Sequence, residues 1–306
     1  MTKIKFKLFF CFLIILIIIS NGYTKESLKV VVFPFKNITE KPEDNWLSNS
    51  FPETLTIGLS QVKDIILIEK NQINNILKTQ TFSQSVLTDE KTAIKLGKIL
   101  NANIVVVGSY QKLGDQIRII ARFVDVITGE VKKDHIADVT GKFEKLFDLQ
   151  NQLSEKLISS FDIKTTPQEN KSLTETVKSA NSIKSYEYYI KGKEILDKVA
   201  FNFNYKLSEE AVIWFKQAIS EDKNYALAYT DLSRTYLYQA IYAKQKDELK
   251  DFQQFLDLAL ENALIGVKLK PNLVNTHSIL ALIYNYLDKK DKAISELEIS
   301  FYGTSW

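Results

Sequence analysis

The sequence predicts an α/β domain, a mixed sheet with an antiparallel meander, followed by an all-α array of repeated helix pairs. Three observations carry that reading. Residues 226–301 repeat one helix-pair pattern: Ala226, Tyr229, Leu232, Ser233 and Tyr236 recur as Val274, His277, Leu280, Ala281 and Tyr284. Residues 104–139 hold β-branched runs separated by Leu113-Gly114-Asp115 and Thr128-Gly129-Glu130, the punctuation of a meander. Between these regions, residues 165–182 are rich in Thr, Ser, Asn, Gln and Lys and poor in apolar side chains, as a linker is.

A chain of 306 residues is long for one core and comfortable for two domains. Its start reads as an export signal over residues 1–22. Lys3, Lys5 and Lys7 precede an apolar run of 12 residues, 8–19, and Ser20-Asn21-Gly22 offers small residues for a cut ahead of Tyr23. A run of that length is short of the roughly 20 residues a spanning helix needs, so the segment is either cleaved or kept as an anchor for peripheral membrane association. The whole chain has 40 Lys+Arg and 37 Asp+Glu; removing the three leader lysines leaves 37 against 37. A neutral, interspersed surface gives no field for nucleic acid, which drops out as a partner. Cys11 is the one cysteine and lies inside the apolar run, so the exported chain has no disulfide or thiolate to use.

Taken in order, residues 28–35 (LKVVVFPF) predict a buried strand stopped at Pro34, residues 46–62 a helix through Leu47, Phe51, Leu55 and Leu59, and residues 65–68 a short strand. Helices are expected at 71–79 and 90–100, the latter capped by Thr88 or Asp89. The meander strands are placed at 104–112, 116–127 and 131–139, and a long helix at 143–161 closes the unit. The phrases Phe33-Pro34-Phe35, Ile68-Glu69-Lys70, Leu96-Gly97, Val107-Gly108-Ser109 and Phe123-Val124-Asp125-Val126 before Thr128-Gly129-Glu130 occur in the order found in the curli-secretion-channel-like domain. Residues 28–163 resemble that domain, and also the related flagellar outer-membrane protein and the TolB amino-terminal-like domain. The resemblance implies a periplasmic or outer-membrane-associated module that works by protein contacts and oligomerisation. Channel-forming members add membrane hairpins and a lipidated cysteine. No spare alternating segments are present here, and Cys11 follows Phe9 and Phe10 rather than small residues.

After the linker at 164–182, residues 183–306 carry three helix pairs. Ser185, Tyr188 and Gly192 open the first, and Ala211, Phe215 and Ala218 line its second helix. From Ala259 to Ala293 is 34 positions, and Ala259, Ala263, Gly266 and Pro271 complete the pattern. This half resembles the tetratricopeptide repeat family, which implies an all-α tetratricopeptide helical-repeat solenoid with a concave protein-binding groove. Small residues allow close packing, so Gly192, Ser233 and Ala281 are expected to meet Ala211, Ala259 and Ala293. The second unit spans 48 residues from Lys223 to Pro271, some 14 beyond the usual unit, predicting longer helices around 238–252; Lys223 replaces the usual turn proline. Matching the family's second, fifth, ninth and twelfth positions assigns Tyr186, Tyr189, Lys193, Thr230, Arg234, Asn275, Ser278 and Asn285 to partner binding. The array ends without an additional polar capping helix, at Tyr302-Gly303-Thr304-Ser305-Trp306, and the aromatic tail points to contact with another molecule.

Catalytic signals are sparse. His135 and His277 fall at strand and repeat-packing positions. Glu43-Asp44 and Glu209-Glu210 read as solvated pairs, and no glycine spacing cradles a phosphate. The expectation is an exported, periplasmic, outer-membrane-associated adaptor without enzyme activity, metal or cofactor, holding a protein or peptide in its groove and open to homo-oligomerisation. A secretion-channel subunit is the alternative, and carboxylate-based hydrolysis a more distant one.

Overall fold

The structure, a computed structural model, describes residues 27–60, 62–69, 72–73, 76, 89–131, 135–160, 180–202 and 204–302. The export signal, Thr88, most of the helix expected at 71–79, most of the linker and the tail beyond Tyr302 lie outside the described residues, as does the Tyr302 side chain.

The first half is a mixed sheet with helices on both faces. Its strands are β1 (Leu28–Val32), β2 (Lys36–Asn37), β3 (Ile65–Leu67), β4 (Ile104–Leu113), β5 (Gln116–Asp125) and β6 (Ile136–Lys142). They run in the order β3-β1-β4-β5-β6, with β2 paired to β4. β1 lies parallel to both β3 and β4, whereas β4, β5 and β6 form the antiparallel meander with Tyr110 opposite Ile119 and Ile120 opposite Asp138. Where both faces are covered, residues 30–32 of β1 and 104–107 of β4 are unbroken apolar runs. Val30, Val32, Val106 and Tyr110 face the larger core with α1 (Leu47–Ser60) and α3 (Leu146–Ser160); Val31, Phe33, Val105 and Val107 face α2 (Glu90–Ile99). Asp89 is the N-cap of α2, accepting from the Thr92 amide at 3.0 Å, and those bonds to Thr92 hold its carboxyl below the usual range.

Two boundaries differ from the sequence expectation. The first strand ends at Val32: Phe33 N makes a last bond to Val106 O at 3.0 Å, and beyond Pro34 the chain turns away, with Phe35 N donating to Ser48 O at 3.0 Å. That carbonyl is available because Pro52, four residues on in α1, has no N–H to offer it. The second meander strand ends at Asp125 rather than 127: Asp125 Oδ1 accepts from the amides of Ile127 and Thr128, Gly129 sits at φ +71°, and this turn takes the last two positions assigned to that strand. The third meander strand is described from Ile136, and residues 132–134 of the expected 131–139 lie outside the described residues.

The second half consists of three helix pairs: α4 (Ile183–Asn202) with α5 (Ser208–Glu221), α6 (Ala226–Gln245) with α7 (Leu249–Leu269), and α8 (Val274–Tyr286) with α9 (Lys290–Tyr302). Small residues set the closeness of each pair. Ser233 Oγ donates to Ala259 O at 2.7 Å, and Ser185 Oγ to Ala218 O at 2.8 Å. Gly192 lies against the Phe215 ring, whose atoms would sit 2.9 Å from any Cβ added there. The extra residues of the second unit extend α6 and α7 to 20 and 21 residues, against 13 each for α8 and α9. Both of these pairs turn through a left-handed aspartate, Asp247 (φ 63°) and Asp288 (φ 53°), after which the amides of Glu248 and Lys289 return to Ala243 O and Tyr284 O. At the turn beside Lys223, Asp222 does what a proline would: its carboxylate accepts from Asn224 N at 3.0 Å and Asn181 N at 2.8 Å. One buried apolar cluster runs from Val30 through Trp46 and Tyr186 to Ala293, joining sheet and repeats without a break.

Candidate functional site: the concave strip of the helix pairs

The first helix of each pair presents its groove positions in register, and the structure closes some while leaving others open. Tyr186 is closed. It is 5% exposed, with its ring edge-on to Trp46 (centroids 6.0 Å apart) and Phe147 (5.3 Å). Its hydroxyl lies 3.2 Å from Thr54 Oγ1 and donates to Ser50 O at 3.3 Å. Burial pushes this phenol up, with the hydrogen bonds from Ser50 and Thr54 offsetting part of the effect. Trp46, Ser50 and Thr54 belong to the sheet half. The occupant of the first unit's groove is therefore α1 of the same chain, joined by Asn49 Nδ2 donating to Glu194 Oε2 at 3.3 Å.

Next along α4, Lys193 Nζ is 3.5 Å from Glu53 Oε1, a second link to α1. The Glu53 carboxylate raises the lysine's pKa against the opposing cost of burial, and Asp197 and Asp231 add to it. Tyr189 donates to Asp231 Oδ2 at 3.0 Å and packs on Tyr225 and Phe215; burial first, then the Asp231 charge, holds its phenol well above the ordinary value. Arg234 NH1 lies 3.5 Å from Asp231 Oδ1. Tyr189, Lys193 and Arg234 thus gather around Asp231.

Thr230 points between helices instead of into the groove. It is 1% exposed, its Oγ1 2.7 Å from Thr276 Oγ1 and donating to Ala226 O, under Gly266 of α7. Of the positions assigned to partner binding, Tyr186, Tyr189 and Thr230 have their hydroxyls hydrogen-bonded within the chain. Arg234 is half-buried. Asn275 and Asn285 are exposed; Ser278 is half-buried, with its hydroxyl returning to Val274 O at 3.2 Å.

Sequence reasoning missed Leu282, 54% exposed in the same ninth-position register as Lys193 and Arg234. Counting one residue on from Gly192, Ser233 and Ala281 would have found it. It also missed Glu53 and Asp231, which no local pattern marks. His277 is buried in a packing role, its ring nitrogens 2.6 Å from Glu296 Oε2 and 2.7 Å from Pro271 O. His135 lies edge-on to Phe123. Among the described residues no group of three or more His, Cys, Asp or Glu side chains could hold a metal, and no helix is long and apolar enough to cross a membrane.

Comparison with known proteins adds similarities at both scales. The family described as "Curli production assembly/transport component CsgG" matches residues 15–119, about a third of the chain. A protein named "Putative adenylate cyclase 3" from Rhizobium meliloti is 22% identical over 268 residues, covering 86% of this chain; the chain spans 41% of that relative's length. Among solved structures, the LpoB C-terminal domain from Salmonella enterica is 14% identical, with a TM-score of 0.32, over 41% of this chain and 90% of its own. A lipoprotein from Neisseria meningitidis is 17% identical, with a TM-score of 0.31, over 37% of this chain and 79% of its own. MamA is 14% identical, with a TM-score of 0.29, over 76% of this chain and 85% of its own. At these scores the superpositions carry no functional argument.

Proposed function

We propose that this chain is an exported, envelope-associated scaffold without catalytic activity. Its sheet domain (28–163) is lodged in the groove of the first helix pair, and the remaining concave strip holds an extended segment of a protein partner. The observation that carries this reading is the division of the groove. Positions of the first unit are filled by Ser50, Glu53 and Thr54 of α1, while Arg234, Asn275, Leu282 and Asn285 stay accessible in the same register. A half-buried arginine on one first helix and an exposed leucine with two amides on the next offer an anchor, an apolar contact and hydrogen bonding to an extended peptide. The leader and the family match at 15–119 support an outer-membrane-associated periplasmic location.

Crosslinked capture from the exported fraction tests the groove. Arg234→Ala and Leu282→Ala should each lower recovery of the captured protein by roughly tenfold, the size of a typical anchor residue. Ile213→Ala, exposed on α5, should leave it unchanged. Equal recovery from all three variants, with their melting temperatures preserved, would count against the groove. The family match favours a second reading, a subunit of a secretion assembly; that reading alone predicts conductance when the purified chain is added to a planar bilayer.

A further inference from the structure

The stretch of groove that α1 fills shows what its ninth position accepts. Ser50, Glu53 and Thr54 stand on one face of α1, three and four residues apart, and of these Glu53 makes the charged contact. Its Oε1 lies 3.5 Å from Lys193 Nζ, with the two side chains 26% and 20% exposed. Lys193 is the ninth residue of its unit, and Arg234 and Leu282 repeat that position in the second and third units.

Arg234 matches Lys193 in charge and in cover, its side chain 28% exposed, but the acid it meets is on its own helix. That contact, to Asp231 Oδ1, is long at 3.5 Å, and the other Asp231 oxygen accepts from the Tyr189 hydroxyl at 3.0 Å. Burial opposes the Arg234 charge, and Asp231, Tyr238, Tyr189 and Asp197 outweigh it. Lys193 is held charged by Glu53 above all, with Asp197 and Asp231 behind it. Glu53 therefore docks in the company of the same two carboxylates that surround Arg234, so their charge does not keep a further acid out. The first helices lie side by side, α4 against α6 and α6 against α8. Packed helix axes are about 8–10 Å apart and an extended chain rises about 3.3 Å per residue, so equivalent positions on neighbouring first helices are about three residues of extended peptide apart.

We infer, resting on the groove reading above, that the segment held beyond α1 is extended and carries an Asp or Glu that meets Arg234 as Glu53 meets Lys193. About three residues from that acid it carries a leucine or similar apolar side chain, which lies on Leu282. The open strip continues directly from the stretch that α1 occupies, so this chemistry is read from an interface the chain already makes. A basic residue in place of the acid would set like charges together at Arg234. A helical segment would separate the two contacts by about six or seven residues, at 1.5 Å of rise each.

The test uses the full chain and short end-blocked peptides of Ala and Ser, each with one Glu and one Leu in either order, at separations from about one residue to about eight. Fluorescence anisotropy reads the affinity. Binding should be tightest at a separation of about three, and roughly tenfold weaker when Gln or Lys replaces the Glu or when Ala replaces the Leu. Arg234→Gln should erase the preference for Glu over Gln, and Leu282→Ala the preference for Leu over Ala, with melting temperatures preserved. Equal binding of the Glu and Gln peptides, a best separation of about six or more, or no binding of any peptide by the native chain overturns the inference. The crosslinked capture decides the groove separately: if recovery there depends on Arg234 and Leu282, the groove stands and only the pairing of acid and leucine falls.

Discussion

Replacing Tyr186 by alanine should destabilise the chain by about 3–5 kcal/mol, the range for deleting a buried aromatic side chain, and should uncouple the sheet domain from the first helix pair. The ring is the point at which two cores become one: Trp46 and Phe147 reach it from the sheet side and Tyr189 stacks on it from the helix side, centroids 6.5 Å apart. Tyr186→Phe keeps those ring contacts and loses only the hydroxyl's bonds to Ser50 and Thr54, at about 1–2 kcal/mol. Denaturant unfolding separates the two. The alanine variant should show two transitions where the native chain shows one, and equal effects from alanine and phenylalanine would mean that the ring is not the junction.

Gly108→Val should be comparably severe for a different reason. A Cβ at Gly108 would lie 2.3–2.5 Å from three atoms of the Phe35 ring, and that ring is fully buried with Phe51 5.5 Å behind it. Neither side has room, so the substitution should destabilise the sheet domain by about 3 kcal/mol or more, measured by thermal melting. Gly114→Ala is the contrast: its Cβ meets nothing within 4 Å, and the strain of φ +61° alone limits the loss to about 1 kcal/mol. A Gly108 variant that melts with the Gly114 variant would refute the packing argument.

These glycines show why much of the fold was legible. The phrases that carried the resemblance are contact points: Phe35 of one phrase lies on Gly108 of another, Gly97 approaches Val105 and Val126 closely, and Asp125 closes the turn that Gly129 completes. Residue types forced by a close approach or a left-handed turn can be read without coordinates. The repeat was legible for the same reason, since Ser185, Gly192 and Ser233 recur wherever two helices touch.

The site was legible only in part. Register assigned Tyr186, Tyr189 and Lys193 to a groove wall, and they do lie on the face of α4 that meets α1. What fills the groove depends on docking between segments more than 130 residues apart, Ser50 to Tyr186, and no periodicity reports that. The Thr230 hydroxyl finds Thr276 on a neighbouring helix, a pairing that an assignment by repeat position does not anticipate.

Amide hydrogen exchange tests the central claim, that α1 is a built-in occupant of the first unit's groove. In the native chain the amides of Leu47–Ser60 and Ile183–Asn202 should exchange with a shared opening free energy; in Tyr186→Ala both should lose protection together while Val274–Tyr286 keeps its own. If α1 opens independently of α4 in the native chain, or holds its protection in the variant, the sheet domain does not occupy the groove.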